Sequence, residues 1–499
     1  MTKLIPYIKD NFRDGITSML RSNYGFSQIS HFQVFPDRLV QRRGWDNDTL
    51  TDNEFQNIIL ASNGKIYGST TDEGATGVDG LWLKASGGDP EDDGWTTSYA
   101  FGQSPTNDFL FEYKGYLMFM DIGDDLNTFR LTGSTVGNNY QTNLTPTTNP
   151  QLKDFIKPLH HKKDDYAYFF DAQNVYRLTD APGTGTWSTV YTVPDSFEIS
   201  GRIEYGSAMM LGITPLSSSD DCRVLIIDQN LDTNFVLDQF SLGKGELKAM
   251  GMCDGVPTAV VQRSELNRTQ IRVYRYDGLR FKEVKESRMF SFSMGAYHQE
   301  DGEKLYFAGE REGDDSYSVQ LFDVFEEQYA LGIYSVDGLG RIVCEVNPYE
   351  ASNINTVSDI GSFYNAEDYW FIPGGSDSLY RTSNNANDYS QPSVITTGIL
   401  NFGNPLTNKQ IKSIIVSHEP SQRDDSVVIQ YKRVGDNSWT TALSTTVEGQ
   451  TRTSATLNAD STEFSVGSEF MVRILATGVR VITGLAVIPS DYQDDFITL

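Results

Sequence analysis

The sequence is poor in cysteine and has no long apolar run, and each shortage excludes a class of protein. Its three cysteines, Cys222, Cys253 and Cys344, lie far apart without metal-ligand spacing. We therefore expect reduced, mostly buried thiols rather than a disulfide framework or a zinc site. No stretch approaches the roughly 20 consecutive apolar residues of a membrane-spanning helix. Residues 1–13 carry charges throughout and have no signal-peptide core. These absences predict a chain made in a cytosol, with no membrane span.

Motifs for hydrolytic or nucleotide chemistry are also missing. The sequence has no HExxH, GxSxG, P-loop or paired CxxC motif. Acidic loops such as residues 121–125 (DIGDD) offer oxygen ligands, but none has the spacing and closing Glu of an EF-hand. Residues 92–97 (DDGWTT) and 436–440 (DNSWT) match the aspartate-box turn of sialidases only in part, and ordinary hairpin turns use the same residues. We predict no enzyme, no cofactor and no metal site, with calcium binding and glycoside hydrolysis as alternatives.

Positive charge is scarce as well. The chain has 40 Lys and Arg against 67 Asp and Glu, a net charge of −27, which opposes nonspecific binding to nucleic-acid phosphates. Solubility alone accounts for such a charge, and a sharper hypothesis is an acidic surface that lets DNA pass without sticking. Three arginines nevertheless fall within six residues: Arg38, Arg42 and Arg43. They predict contacts with carboxylates of a partner or a neighbouring copy, and the alternative is a solvated loop.

What the sequence has in abundance is aromatic side chains, with 26 Tyr and 28 Phe, in a repeated two-strand phrase. An aromatic-rich strand precedes a second strand that often reads apolar-Tyr-Arg-apolar, as in residues 166–170 (YAYFF) and 175–178 (VYRL). The phrase recurs every 42 to 64 residues, with the landmarks Tyr67, Met118, Tyr168, Met210, Val260, Tyr306 and Trp370. One propeller blade of four strands needs about 40 to 50 residues, so the repeat predicts six or seven blades, the fourth being the least clear. We interpret the Tyr-Arg phrase as blade packing, in which Tyr packs between blades and Arg lies along the Tyr ring or pairs with an acidic loop. The alternative is that these arginines line one face and bind a partner.

The pattern changes near Ser393. From there to the end the strands are short and evenly alternating, without the Tyr-Arg phrase, which is typical of a small β-sandwich. Residues 1–55 do not fit the repeat and are predicted to form an N-terminal arm. The predicted architecture is therefore all-β, with an arm (1–55), a six- or seven-bladed β-propeller (56–392) and a C-terminal β-sandwich (393–499).

Two regions carry a family resemblance. The first is the ordered series of residues 397–405 (TGILNFGNP), 409–414 (KQIKSI), 416–420 (VSHEP), 427–432 (VVIQYK) and 439–440 (WT). The second lies near the N-terminus, in residues 35–39 (FPDRL), 42–44 (RRG), 57–60 (NIIL) and 64–67 (GKIY). In pattern and order the chain resembles the propeller-bearing tail-hub, nozzle and packaged-DNA-stabilisation proteins of short-tailed bacteriophages. The likeness is moderately specific and transfers no catalytic residue.

The resemblance implies a structural virion component located in the phage tail and made in the cytoplasm of the bacterial host. Such proteins form a homo-oligomeric ring, with a hexamer favoured here, below the portal and adaptor and beside other tail proteins. The ring closes the head, retains packaged DNA and forms part of the ejection conduit, through which DNA passes without specific binding. Acidic side chains are then expected to line the lumen, where they repel phosphates within a Debye length of about 8 to 10 Å. The alternative is a carbohydrate-binding or carbohydrate-cleaving propeller, such as a receptor-binding phage protein. The Trp and Tyr side chains, which can stack on sugar rings, and the acidic loops support this alternative.

Overall fold

The structure is a computed structural model, and it describes the following parts of the chain. These are residues 7–9, 26–30, 32–34, 39–41, 45–47, 54–71, 80–84, 95–100, 110–120, 126–132, 135–140, 156–182, 184–228, 236–265, 268–288, 290–291, 298–300, 303–311, 331–338, 340, 342–346, 363–366, 369–374, 378–382, 393–403, 408–420, 425–457, 466–479 and 481–491. Every regular element in these ranges is a β-strand. No helix there is long and apolar enough to cross a membrane.

Five short strands precede the repeat. They are β1 (Tyr7–Lys9), β2 (Phe26–Ser30), β3 (Phe32–Val34), β4 (Leu39–Gln41) and β5 (Trp45–Asn47). None of them is long enough to be stable as an isolated hairpin, so each needs a partner elsewhere in the chain.

Seven antiparallel sheets follow, and we call them blades 1 to 7. Blade 1 contains β6 (Glu54–Leu60), β7 (Ile66–Thr71), β8 (Gly80–Lys84) and β9 (Trp95–Ala100). Blade 2 contains β10 (Phe111–Tyr113), β11 (Tyr116–Met120), β12 (Leu126–Thr132) and β13 (Thr135–Tyr140). Blade 3 contains β14 (Leu159–His161), β15 (Tyr166–Phe170), β16 (Asn174–Leu178) and β17 (Trp187–Thr192).

The next blades continue the same order along the chain. Blade 4 contains β18 (Phe197–Tyr205), β19 (Ala208–Pro215), β20 (Asp221–Ile227) and β21 (Val236–Lys244). Blade 5 contains β22 (Glu246–Cys253), β23 (Val256–Glu265), β24 (Arg268–Tyr276) and β25 (Phe281–Arg288). Blade 6 contains β26 (Phe290–Ser291), β27 (His298–Glu300), β28 (Lys304–Arg311), β29 (Leu331–Asp337) and β30 (Ile342–Val346). Blade 7 contains β31 (Tyr364–Ala366), β32 (Tyr369–Gly374) and β33 (Ser378–Thr382), and β5 pairs with β33 as its outer strand.

The blades form a closed ring because apolar clusters join consecutive sheets. One cluster packs Phe169 of blade 3 against Met118 of blade 2, and another packs Ile66 of blade 1 against Phe371 of blade 7. Similar clusters join blades 1 and 2, blades 3 and 4, blades 4 and 5, and blades 5 and 6. Blades 6 and 7 meet through Tyr306 and Trp370, whose ring centroids lie 5.0 Å apart. The chain is therefore a seven-bladed β-propeller closed by a strand from its N-terminal part.

The sandwich is built from both ends of the chain. Its C-terminal strands are β34 (Ser393–Thr397), β35 (Lys409–His418), β36 (Ser426–Arg433), β37 (Thr440–Thr446), β38 (Arg452–Thr456), β39 (Val466–Gly467), β40 (Phe470–Thr477) and β41 (Val481–Asp491). One sheet has the order β3-β4-β41-β35-β38, with β1 also on β41 and β39 on β35. The other has the order β2-β34-β40-β36-β37. Residues 1–55, predicted as an arm, thus contribute strands to both sandwich sheets and to blade 7.

The predicted all-β propeller followed by a sandwich is confirmed. Six of the seven landmarks lie in the second strand of a blade, and Tyr306 lies in β28, which pairs with both β26 and β27. All seven landmarks are buried. The fourth blade, which looked least clear in the sequence, is regular: all eight residues of β19 are buried. Its landmark was obscured because Met209, Met210 and Leu211 replace the usual aromatic side chains there.

Leu39 offers a test of how much the N-terminal strands stabilise the whole molecule. It is fully buried in an apolar cluster that contains sandwich residues such as Ile482 and residues of blades 5 and 6. We expect Leu39→Ala to lower the free energy of unfolding by about 2 to 5 kcal/mol, because truncation leaves a cavity. Urea unfolding followed by fluorescence measures this. Leu216→Ala is the matched control, since Leu216 is 64% exposed and its truncation changes stability by no more than about 0.5 kcal/mol. Equal losses in both variants would contradict a stabilising role of Leu39 and β4.

Candidate functional site

The three arginines predicted to contact a partner, Arg38, Arg42 and Arg43, lie outside the described residues. In sequence they flank β4, which pairs with β41 through Leu39 and Val40. Their predicted contact with carboxylates stays a prediction.

The motif that carries the family resemblance forms a tight turn at its start. Asn401 accepts a hydrogen bond on Oδ1 from the Gly403 N–H at 3.0 Å. Phe402 and Gly403 have positive φ angles of 51° and 85°, a backbone that favours Gly and is costly for Phe. The turn nevertheless buries the Phe402 ring, whose centroid lies 6.3 Å from that of Phe470. Two backbone hydrogen bonds between Leu400 and Phe470, at 2.7 and 3.0 Å, fix the turn on the sandwich.

Other polar residues of the motif are also directed inward. Lys409 is fully buried, and its Nζ donates to the Ser468 carbonyl at 3.2 Å. Burial lowers the pKa of Lys409. His418 lies between the Glu419 carbonyl, 2.9 Å from Nδ1, and Thr453 Oγ1, 3.0 Å from Nε2. These contacts hold neighbouring strands together.

Trp439 closes the motif on the outer face of the second sheet. Lys432 Nζ lies 5.2 Å and Arg473 Cζ lies 4.7 Å from the centroid of its indole. Trp439 also packs against a small apolar pair formed by Ile399 and Met471. Cations against an indole stabilise by about 0.5 to 1 kcal/mol each at exposed sites and by more when desolvated. The motif residues therefore serve packing and strand registration, which explains their order without any catalytic role.

The Tyr-Arg phrase is used in the same way in blade 3. The Tyr176 ring is buried and its hydroxyl donates to Asp171 Oδ2 at 2.6 Å. Arg177 Cζ lies 5.6 Å from the ring centroid of Tyr166 on the neighbouring strand. In blade 7, Arg381 is fully buried. This geometry agrees with packing of Tyr between blades and of Arg along an aromatic ring.

Two inter-blade contacts were missed by the sequence analysis. The Ser62 backbone N–H donates to Glu112 Oε2 at 2.6 Å, and the Ser62 hydroxyl bonds the same carboxylate. The Lys162 N–H donates to Glu204 Oε1 at 2.9 Å. Glu112 and Glu204 are each the last residue but one of a blade's first strand. Each carboxylate thus caps the first turn of the preceding blade, a role visible in sequence only once the strand ends are known.

The central channel of the propeller is crossed by side chains. First strands of consecutive blades contact one another, as β14 with β18 and β18 with β22, so they line the axis. Lys157, just before β14 in blade 3, places its Nζ 5.8 Å from the ring centroid of Tyr364 in blade 7. Blades 3 and 7 lie on opposite sides of a seven-membered ring. The contact therefore spans the channel, which is too narrow at this level to admit DNA.

Lys157 is also held near a second cation. Arg202 of β18 is 8% exposed, and its Nε donates to the Lys157 carbonyl at 3.0 Å. Burial, followed by the charge of Arg202, lowers the pKa of Lys157 to about 7. Both causes disfavour the charged form of the amine.

The described residues contain no group of three or more His, Cys, Asp or Glu side chains that could hold a metal ion. Cys222 and Cys253 are buried and are not in a disulfide, and burial raises the pKa of Cys222 to about 12. A thiol of that kind is a poor nucleophile at neutral pH. The Cys344 side chain lies outside the described part.

No family model matches the sequence, and no curated protein is similar to it in sequence. Several solved structures are similar in fold. BamB from Moraxella catarrhalis is 9% identical, with 72% of this chain and 94% of that chain covered and a TM-score of 0.36. YCF48 bound to a D1 peptide is 11% identical, covering 72% and 99%, with a TM-score of 0.42. A glycoside hydrolase is 13% identical, covering 88% and 97%, with a TM-score of 0.28. These likenesses carry no argument about function, and the propeller assignment rests on the seven sheets themselves.

The depressed pKa of Lys157 generates a prediction about stability and pH. The amine of a lysine in the unfolded chain has a pKa of about 10.4. Burial of the charged amine therefore lowers the free energy of unfolding by its full amount below pH 7. This destabilisation disappears between pH 7 and about 10.4, as the buried amine becomes neutral. We expect Lys157→Met to raise the melting temperature by at least about 2 °C at pH 6, and the gain to shrink towards zero at pH 10. Calorimetry of both proteins across this range measures it. Lys162→Met, at an exposed site, is the control. A gain in melting temperature from Lys157→Met that does not change with pH would contradict a lowered pKa at Lys157.

Proposed function

We propose that this protein is a non-enzymatic structural component of a tailed-bacteriophage virion. In this proposal it forms a homo-oligomeric tail-hub or nozzle ring below the portal and adaptor. The ring closes the head, retains packaged DNA and forms part of the conduit for ejection. The chain is made in the cytoplasm of the bacterial host and functions in the virion tail.

The observation that carries this proposal is the placement of the resembling motif. Its described residues lie in order at the end of β34 and in the turn after it, on β35 and β36, and at Trp439 before β37, in a sandwich joined to a propeller. That is the arrangement which the resemblance implies for tail-hub and nozzle proteins. The packing roles of Phe402, Lys409 and Trp439 support a scaffold, since each of these side chains stabilises neighbouring strands.

The connection between the two ends of the chain supports a role under mechanical load. Strands β1 and β4 pair with β41, β2 pairs with β34, and β5 pairs with β33. Pulling on the N-terminal part therefore loads several strand pairs at once, and they resist together. A ring that holds pressurised DNA needs this kind of closed connection.

The blocked propeller channel bears on where DNA would pass. Because Lys157 and Tyr364 span that channel, a DNA conduit has to be formed between copies of the chain and not through one propeller. The net charge of −27 suits such a conduit, since acidic walls repel phosphates and keep the duplex from adhering. Concentration of acidic residues on the lumen side stays a prediction.

Ring formation is the test of this proposal. We expect light scattering of the purified full-length chain to give a multiple of 55.8 kDa, with six copies favoured, and negative-stain microscopy to show rings. Antibodies to the chain should label the tail end of particles from the encoding phage, and deletion of the gene should yield heads that lose their DNA.

The contrary outcome is equally specific. A protein absent from purified particles that binds or cleaves a bacterial polysaccharide as a monomer would overturn the virion role and favour the carbohydrate alternative. Reducing-sugar release from host capsule or lipopolysaccharide measures cleavage, and a boiled sample of the same protein is its control.

A further inference from the structure

Blade 5 differs from the rest of the propeller in its charge. Residues 246–288 contain nine Lys and Arg against six Asp and Glu, whereas acidic residues outnumber basic ones in each of the other blades. The excess extends to the outer hairpin of the blade, where residues 271–284 contain four Lys and Arg against two acidic residues. We call residues 271–284 the basic hairpin. In a chain with a net charge of −27, a basic surface of this kind needs a reason.

Two cations of the basic hairpin lie directly opposite each other. Arg275 and Lys282 are partners in the register of β24 and β25. Ile271 and Val273 of β24 pack in the cluster that blade 5 shares with blade 6, so Arg275 projects from that side by strand alternation, and Lys282 with it. Like charges at directly opposite positions destabilise a sheet. The hairpin therefore carries a repulsion that a bound carboxylate would relieve.

The two acidic side chains of the basic hairpin are engaged locally. Asp277 Oδ1 accepts the N–H groups of Leu279 and Arg280, both at 3.0 Å, and so fixes the turn. Glu283 Oε2 lies 3.3 Å from the Arg272 guanidinium. Neither carboxylate forms an ion pair with the two opposed cations in the described part of the chain.

Three cations are left for a partner. Among the described residues, Arg275, Arg280 and Lys282 form no ion pair, and Arg275 Nε is a buried donor without a hydrogen-bond acceptor. Asp238 of blade 4 lies near the Tyr276 hydroxyl, on the side of β24 that faces away from Arg275. Two of the cations, Arg280 and Lys282, are exposed. The hairpin is therefore suited to a partner that brings carboxylates.

An apolar anchor stands beside these cations. Leu279 is 82% exposed, and its turn is closed by the Asp277 N–H, which donates to the Arg280 carbonyl at 3.0 Å. The Tyr276 hydroxyl donates to the Gly278 carbonyl at 3.1 Å and braces the same turn. A preorganised apolar side chain loses little entropy on binding. An exposed leucine next to arginine fits a protein partner, because nucleic-acid phosphates would leave the leucine without an apolar contact.

The chain itself offers a complementary surface at residues 216–221, which we call the acidic turn. Leu216 is 64% exposed there, and it is followed by exposed Asp220 and half-buried Asp221. Exposed Asp195 is adjacent, since the Leu216 N–H donates at 2.9 Å to the carbonyl of the residue after it. Lys244, opposite Asp221 in the register of β20 and β21, is the cation beside them. Three carboxylates against one amine leave this surface acidic.

The two surfaces lie on opposite faces of the propeller. Tyr205 ends β18 and Tyr276 ends β24, and their ring centroids are 5.7 Å apart. The turn after β24 therefore shares a face with the turn after β18. Because β19 runs antiparallel to β18, the acidic turn after β19 is at the other face. One copy cannot bring its own basic hairpin and acidic turn together.

We infer that the basic hairpin of one copy of this chain docks on the acidic turn of the next copy. Leu279 and Leu216 form the apolar centre of the contact, and the carboxylates of the acidic turn lie against the cations of the hairpin. The inference rests on the proposed function, in which copies assemble into a ring. The contact is heterologous and repeats head to tail, and such a contact produces a ring when its rotation closes.

Reversal of charge on each surface tests the contact. We expect Arg280→Glu/Lys282→Glu and Asp220→Lys/Asp221→Lys each to weaken assembly by about tenfold or more in light-scattering titrations, because like charges then meet. Both pairs of substitutions in one chain should recover most of the lost assembly, since the two surfaces are complementary again. A defect in folding would not be repaired in this way.

Two further variants separate the contact from general effects. Lys163→Glu is the matched control, since Lys163 is an exposed lysine at a blade 3 turn on the same face as the basic hairpin, and it should assemble like the wild type. Leu279→Ser should weaken assembly by about tenfold, as expected for the anchor of an interface. Because Leu279 is exposed in a single copy, the melting temperature of the monomer should not change.

Each outcome has a distinct consequence. Assembly of Arg280→Glu/Lys282→Glu at wild-type strength would overturn the interface and leave the proposed function standing. Weakening by both reversals without recovery in the combined chain would overturn the acidic turn as the occupant. A wild type that is present in phage particles but monomeric at every concentration would overturn docking between copies alone. Absence of the wild type from both rings and particles would overturn the proposed function together with the inference.

Discussion

A four-stranded sheet with two apolar faces is stable only when another sheet covers each face, and the rest of this structure follows from that requirement. Strand β19 shows it most clearly, because all eight of its residues are buried between blades 3 and 5. The apolar clusters between the blades each span neighbouring blades, as when Met118 packs on Phe169. No blade can therefore be removed without exposing both neighbours, and the array has to close into a ring.

Closure depends on a strand of only three residues, β5, which has no partner near it in sequence. Strands β1, β3 and β4 are equally short, β2 has five residues, and all four belong to the sandwich sheets. Leu39 belongs to an apolar cluster that includes Val336 of blade 6 and Val416 of the sandwich. The propeller and the sandwich thus share one core, and the N-terminal strands connect them. Unfolding of the sandwich is therefore expected to destabilise the propeller, and unfolding of the propeller to destabilise the sandwich.

The sequence revealed the propeller because its repeat follows the strand that every blade buries on both faces. Tyr67, Tyr168 and Trp370 are fully or almost fully buried, so aromatic side chains recur at that position and the period is visible. The destination of β5 could not be predicted, since pairing with β33 is a long-range contact without a local signal. The exposed Leu279 was also unpredictable, because a leucine beside an Asp-Gly turn looks the same in sequence whether it is covered or free. Glu112 and Glu204 became meaningful only once the turns of the preceding blades were placed.

Most of the polar groups that looked like candidates for chemistry are committed to holding strands. Lys409 binds a backbone carbonyl, Asn401 caps a turn, and Arg177 lies along an aromatic ring. A group fixed in this way is costly to move, because breaking its contacts leaves a buried polar atom unsatisfied. The large hydrophobic side chains that stay exposed in the described part of the chain lie at turns and outer strands, as Leu279 and Leu237 do. Recognition of any partner has to occur at turns and outer strands, since the interior of the propeller is already used to close the ring.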